Sequence, residues 1–266
     1  MTAPADLFTP GVEEALLGRL AGQTTPLFLD YDGTLTPIVD DPAQAVLSPQ
    51  MRDVLGRLAE VHTVALVSGR DLTTLRDFVG LNSVYYAGSH GFDIAGPGDL
   101  RQRNAAGEAC VAALDQAQDE LQQRLGSLSG WAFERKAFAL AIHYRHVAEA
   151  QRPTLTEIVQ EIGARYTQLR VGKGKMVFEL QPDVAWDKGR AVLWLLEALG
   201  LDRPHVTPLY FGDDWTDEDA FRALQGRGIG VFVGELERET AAEYRLASVE
   251  HVGAFFERLL QGGSAA

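Results

Sequence analysis

The chain has a single cysteine, Cys110, so no internal disulfide can staple it. That excludes the small disulfide-framed classes and fits a reducing compartment, with a cytoplasmic location as the expectation. No apolar run approaches the roughly 20 residues of a membrane-spanning helix. The opening stretch MTAPADLFTPGVEEALLGRL has acids early and no basic flank ahead of an apolar segment, so no signal peptide is expected. Basic residues are also scarce: 24 Lys and Arg against 37 Asp and Glu leave a net charge of −13. Nucleic acid and anionic membranes are therefore disfavoured as partners, because both are polyanions. A small phosphorylated molecule is still compatible, since it needs only a local cationic pocket or a metal. Clustered Cys and His are missing, which removes the usual zinc sites, and there are no internal repeats. A monomer acting on a small molecule is the expectation.

What is present is a chain of 266 residues, long enough for one large domain or two smaller ones. After a helical segment in GVEEALLGRLAG, short apolar runs alternate with helical patterns. PLFLD, TVALVSGR and SVYYAGSHG read as strands that end in small or polar residues. SPQMRDVLGRLAEV reads as a helix with Ser48 as N-cap and Pro49 in its first turn. This alternation predicts a parallel α/β sheet flanked by helices.

The middle of the chain has a different texture. NAAGEACVAALDQAQDELQQRL reads as one long polar helix with a thin stripe of Val111, Leu114, Leu121 and Leu125. FERKAFALAIHYR alternates like a single strand with one wet face. PTLTEIVQEIGARY has helical spacing, and TQLRVGKGKMVFELQP reads as two strands joined at a glycine turn. The expectation is an α+β insertion over residues 101–183, with residues 1–100 and 184–266 forming the first domain. From Asp187 the α/β pattern resumes, in DKGRAVLWLLEALG, TPLYFGDD, TDEDAFRALQG, GIGVFVG and VEHVGAFFERLL.

Two strand tips carry acids. In LFLDYDGTLTP, Asp30 and Asp32 are two apart, so both can face the pocket beyond the strand's carboxyl end, where open α/β sheets bind ligands. In YFGDDWTDEDAF, Asp213, Asp214 and Asp217 follow a second apolar strand, with Thr216 and Asp219 spaced for a capping box. Carboxylates crowded from two parallel tips raise one another's pKa unless a cation neutralises them. A few hard oxygen ligands with room for water and phosphate suit Mg²⁺ better than zinc. Ser68, at the tip of VALVSG, could donate to a phosphoryl oxygen. Lys188, at the start of a helix, could add charge there. A simple Ser-Gly turn and a solvated surface lysine are the bland alternatives for these two residues. The string GKGK (172–175) lacks P-loop spacing, Ser68 is not in a G-x-S-x-G elbow, and His143 and His146 show no acidic or cysteine partners in sequence.

In order, DYDGTL, VSGR, DKG and GDDWTDE resemble the four motifs of the haloacid dehalogenase superfamily of phosphatases. Within it the chain is similar to the trehalose-6-phosphate phosphatases. The likeness rests on DYDGTLTPI, GSHGFDI, FERKAFALAIHYR, GKMVFELQP with the following DKG, and GDDWTDEDAF, from about Leu27 to Phe221. It implies a Rossmannoid core with an inserted α+β cap that closes over the active site. It implies a Mg²⁺-dependent phosphatase releasing trehalose and phosphate from trehalose 6-phosphate. Asp30 would be the nucleophile that forms an aspartyl-phosphate, and Asp32 the acid and then the base. Ser68 and Lys188 would hold the phosphoryl group. Mg²⁺ would bind Asp30, the backbone carbonyl of Asp32 and Asp213, with Asp214 or Asp217 supporting. Glu134, Lys136 and Glu179 would hydrogen-bond sugar hydroxyls, and Arg70, His90 and Gly91 would line the cleft mouth. Sucrose 6-phosphate or a glucosylglycerol phosphate is the alternative substrate, and an exposed cross-strand pair is the alternative for Glu134 and Lys136.

Overall fold

The computed structural model describes residues 3–263 apart from Asp40, Lys175 and Glu237, so the last residue of the GKGK string lies outside the described residues. The chain begins β1 (Ala5–Asp6), α1 (Val12–Leu20), β2 (Leu27–Leu29), α2 (Pro49–Val61), β3 (Val64–Val67), α3 (Leu72–Val79) and β4 (Tyr85–Gly88). It continues β5 (Asp93–Gly96), β6 (Leu100–Arg103), α4 (Ala105–Glu108), α5 (Val111–Leu125), β7 (Ala132–Lys136), β8 (Ala139–His143), α6 (Arg152–Arg165), β9 (Leu169–Gly174) and β10 (Val177–Pro182). It closes with α7 (Lys188–Ala198), β11 (Leu209–Gly212), α8 (Asp217–Ala223), β12 (Ile229–Val233), β13 (Tyr244–Leu246) and α9 (Val249–Gly263). These elements divide into two compact units, residues 1–102 with 186–266, and residues 103–185.

The first unit is built on a nine-stranded sheet in the order β1-β13-β12-β11-β2-β3-β4-β5-β6. Pairing is parallel from β1 to β4, and β5 runs antiparallel to β4. Side chains alternate across a strand, and the two sheet faces show it. Leu27, Leu29 and Phe211 join Leu16, Leu55, Leu75 and Phe256 in one apolar layer. Phe28 and Tyr210 join Leu195, Phe221 and Phe232 in the other. Helices thus cover both faces, which is why the central strands are continuously apolar. Ser48 caps α2 as expected, its Oγ accepting from the Met51 amide at 3.1 Å. The strands toward the two ends of the sheet, β1 and β13 on one side and β5 and β6 on the other, carried no strand signal of their own. They are short, and neighbouring strands supply their pairing.

The second unit has a four-stranded antiparallel sheet, β7-β8-β10-β9. Leu114, Leu121 and Leu125 of α5 and Leu155, Val159 and Ile162 of α6 pack on its apolar face with Leu140, Ile142, Phe178 and Leu180. Two expectations change here. The long helix is interrupted at Cys110: Asn104 caps α4 through the Gly107 amide at 2.9 Å, and the Cys110 amide bonds back only three residues to Gly107. Gly107 in that first stretch lowers its helical preference. FERKAFALAIHYR is a hairpin rather than one strand. Phe133 pairs with Ile142 and Glu134 with Ala141 across the turn at Ala137 and Phe138. Each arm alternates by itself, but the inward positions switch from odd numbers (Phe133) to even ones (Leu140, Ile142) at the turn, a change of phase that a single strand would not show.

Candidate active site

The site is made by the carboxyl ends of β2 and β11. The Asp30 amide donates to the Phe211 carbonyl at 2.9 Å, so the residue after β2 is still paired to β11 and its carboxylate is held at the shared tip. Gly33 follows with φ +84°, where a side chain is strained. A Cβ at this position would also lie 2.1 Å from Asp213 Oδ2. The glycine is what lets the second acidic loop approach the first.

Lys188 is buried, contrary to the surface-lysine alternative. Asp187 caps α7 by accepting from the Arg190 amide at 2.8 Å, which points the first helical residue inward. Its Nζ donates to Asp30 Oδ1 at 2.6 Å and to Asp217 Oδ1 at 2.7 Å. Asp217 Oδ1 also accepts from the Tyr210 hydroxyl at 2.6 Å, while its Oδ2 accepts the amides of Asp213 and Asp214, each at 3.0 Å. Both oxygens of Asp217 therefore serve the scaffold that orients Lys188 and the Asp213 loop. The expected capping box does not form. Thr216 donates its amide and its hydroxyl to Asp214 Oδ1, both at 2.7 Å, and Asp219 bonds Arg222 instead. Those bonds turn Asp214 toward its own loop.

Electrostatics follow from crowding. Burial, then Asp217 and Asp214, push the Asp213 carboxyl up to about 7. Burial also raises Asp30, although Lys188 opposes it. Burial works against charge on Lys188, but Asp217 and Asp30 outweigh it and hold the ammonium above its ordinary range. Burial would raise Asp214 too, but Lys188 and the Thr216 bonds take it below its usual value.

Oxygens of Asp30, Asp213 and Asp217 lie within 4.8 Å of one another. With Asp217 already saturated by four donors, Asp30 and Asp213 are the pair with capacity to ligate. All-oxygen donors and like charges that raise one another's pKa fit a hard cation between them. The close approach across Gly33 supplies the cradle.

Asp32 is turned to a different partner. Its two oxygens accept from Arg70, Oδ2 from Nε at 2.7 Å and Oδ1 from a terminal nitrogen at 2.6 Å, a bidentate pair. The guanidinium rests 4.9 Å from the Phe78 ring and 5.4 Å from the Tyr31 ring. Ser68, buried at the β3 tip, accepts the Arg70 amide on Oγ at 3.2 Å, and its carbonyl accepts the His90 amide at 2.8 Å. Ser89 and His90 are both left-handed, at φ 49° and 56°, before Gly91 at 90°. Non-glycine residues hold such a turn only when the surroundings impose it, and such strain concentrates at functional sites. Asp30, Lys188, Asp213 and Asp217 thus form one cluster, and Asp32, Arg70, Ser68 and the His90 turn lie along the adjoining strand ends.

A family model described as trehalose-phosphatase matches residues 28–250, spanning both acidic tips and the insertion. The chain belongs to the trehalose-phosphatase family. It is 41% identical over 261 residues to the trehalose 6-phosphate phosphatase RA3 of Zea mays, covering 92% of this chain and 72% of that protein. A trehalose-6-phosphate phosphatase C-terminal domain from C. albicans superposes with a TM-score of 0.75 at 26% identity, covering 98% of each chain. A haloacid dehalogenase-like hydrolase from Bacteroides thetaiotaomicron, 18% identical with a TM-score of 0.65 over 89% of this chain and all of that one, shares the fold. This trehalose-phosphatase family member is an α/β protein of the haloacid dehalogenase type, with a largely parallel sheet and a separate antiparallel one.

In the inserted unit, Glu134 and Glu179 both pair with Ala141, and so lie on one face of the sheet, opposite Phe178 and Leu180. Lys136 shares that face and donates to Glu179 Oε1 at 3.1 Å. His143 has an acidic partner after all, Glu134 Oε2 at 3.1 Å, brought there by the hairpin rather than by sequence spacing. Tyr210 was not among the residues expected from the sequence. A hydroxyl-bearing aromatic inside an otherwise apolar strand was the available signal. Among the described residues no helix is long and apolar enough to cross a membrane.

Proposed function

We propose that the chain is a Mg²⁺-dependent phosphomonoesterase that converts trehalose 6-phosphate to trehalose and inorganic phosphate. The observation that carries the reading is Lys188 bridging Asp30 and Asp217 beside Asp213, in a member of the trehalose-phosphatase family.

Asp30 is the nucleophile: a carboxylate oxygen bonds to phosphorus as the bond from phosphorus to the sugar O6 breaks, leaving an aspartyl-phosphate. Asp32 must first leave its bidentate pair with Arg70 and take up a proton; it then gives that proton to O6 and so ends the step ionised. It then takes a proton from the water that attacks phosphorus, and the carboxylate of Asp30 is the leaving group. Lys188 and the Ser68 hydroxyl hold phosphoryl oxygens, and Lys188, bonded to Asp30 at 2.6 Å, also orients the nucleophile. When bound at Asp30 and Asp213, with the Asp32 carbonyl, Mg²⁺ supplies positive charge against the carboxylates and the transferring group. Asp217 keeps its scaffold role, and Asp214 supports the loop.

Glu134, Lys136 and Glu179 read sugar hydroxyls, with acceptors and a donor gathered on one sheet face. Arg70, His90 and Gly91 line the mouth of the cleft. The reaction needs only a small molecule, for which a monomer suffices, and the single free Cys110 suits a reducing, cytoplasmic compartment. Phosphate release from trehalose 6-phosphate, sucrose 6-phosphate, glucose 6-phosphate and a glucosylglycerol phosphate, each with Mg²⁺ and with EDTA, tests the reading. Preference for trehalose 6-phosphate, abolished by EDTA, is expected. Preference for another sugar phosphate overturns the substrate, and full activity in EDTA overturns the metal.

A further inference from the structure

Arg238 lies on the connection between β12 and β13. The base of that connection is fixed, because Thr240 is buried and the Ala241 amide donates to Glu218 Oε2 of α8 at 2.9 Å. From there Arg238 reaches back to the acidic loop and donates to the backbone carbonyl of Asp213 at 3.2 Å. Its guanidinium carbon lies 4.1 Å from the centre of the Trp215 ring and 5.6 Å from that of Phe232. Its Nε is buried and has no hydrogen-bond partner among the described residues. A solvated surface arginine would show neither the stacking nor the desolvated nitrogen. Trp215 is 68% exposed, an unusual state for so large an apolar ring, and the guanidinium covers one of its faces.

Asp213 is therefore gripped on both sides of its backbone. Its amide donates to the buried Asp217 carboxylate, and its carbonyl accepts from Arg238. With the peptide groups on both flanks fixed, its side chain is directed at Gly33 and Asp30. Trp215, two residues on, holds the same loop from the outside. We propose that Arg238 is a positioning residue that, with Trp215, keeps the Asp213 carboxylate aimed into the acidic cluster, ready to take up Mg²⁺. The inference rests on the reading of Asp213 as a metal ligand given above.

The test is isothermal titration of Mg²⁺ into the full chain, alongside thermal unfolding in EDTA. Arg238→Met keeps the apolar stem but loses both charge and donors. It is expected to weaken the Mg²⁺ Kd about tenfold while the unfolding temperature in EDTA stays within about 2 °C. Arg238→Lys restores part of the affinity. Trp215→Ala, at an exposed site that tolerates truncation, weakens binding by about threefold and decides the matter if Arg238→Met does not fold. Unchanged Mg²⁺ affinity in the folded variants, or a loss of unfolding temperature with no change in affinity, overturns the proposal. Asp213→Asn, run beside them, separates the two failures. If it binds Mg²⁺ like the parent, the ligand reading falls. If it loses Mg²⁺ while Arg238→Met does not, only the role of Arg238 falls.

Discussion

Lys188 Nζ sits 2.6 Å from Asp30 Oδ1, a fully buried ion pair between residues 158 positions apart. The lysine is shared with Asp217 at 2.7 Å, so it ties a nucleophile on one loop to the scaffold carboxylate of another. Replacing it by Met leaves buried acids without their only buried partner of opposite charge among the described residues. Lys188→Met is expected to cost about 3–5 kcal/mol in unfolding free energy and to abolish turnover. Asp30→Asn removes a carboxylate rather than its counter-charge, so it should lose turnover and keep its fold. Denaturant unfolding and phosphate release on the two variants check both halves, and substantial activity in Asp30→Asn would remove that residue from the nucleophile role.

The Tyr210 hydroxyl reaches the cluster through its hydrogen bond to Asp217. Without its hydroxyl, Asp217 Oδ1 keeps Lys188 as its sole donor of those two and draws it away from Asp30. Tyr210→Phe is expected to lower kcat by about tenfold with little change in KM, at a stability cost of about 1–2 kcal/mol. An unaltered kcat in a destabilised variant would confine the tyrosine to packing.

The raised Asp213 carboxyl predicts a pH dependence with a definite sign. Its folded value of about 7 exceeds its ordinary 3.8, so the metal-free folded state binds this proton more tightly than the unfolded chain. Stability from this source is present below about pH 4 and is lost as pH rises toward 7; Asp30 is raised too and acts in the same direction. Mg²⁺ must displace the Asp213 proton, and that proton alone should make its affinity climb about tenfold per pH unit below 7. Unfolding temperatures in EDTA and in Mg²⁺ from pH 5.5 to 8.5 report both trends. In Asp213→Asn the part of the slope due to Asp213 should vanish.

Glu134 and Lys136 face away from the packed side of their sheet, and neither belongs to the acidic cluster. Glu134→Ala and Lys136→Ala are therefore expected to cut kcat/KM for trehalose 6-phosphate by tenfold or more, on the order of 1.4 kcal/mol each. Hydrolysis of a small aryl phosphate should change far less. Equal losses on both substrates would mean that these residues do not read sugar.

Much of this protein is local in its sequence. Apolar runs that end in acid, such as LFLD and LYFGDD, specify parallel strands with chemistry at their tips, because strand periodicity and loop composition act over a few residues. Ser48 and Asp187 announce their helices by the same short-range logic. The fate of each acid is not local. Asp213, Asp214 and Asp217 are near-equivalent in sequence, yet one faces Asp30, one caps its own loop and one is saturated by four donors. Those assignments come from Tyr210, Lys188 and Gly33, which reach the loop from other elements. The FERKAFALAIHYR hairpin and the His143–Glu134 pair likewise depend on cross-strand register. Sequence determined which residue types collect at the strand ends. Only tertiary packing decided their roles, since burial and hydrogen-bond supply come from partners far along the chain.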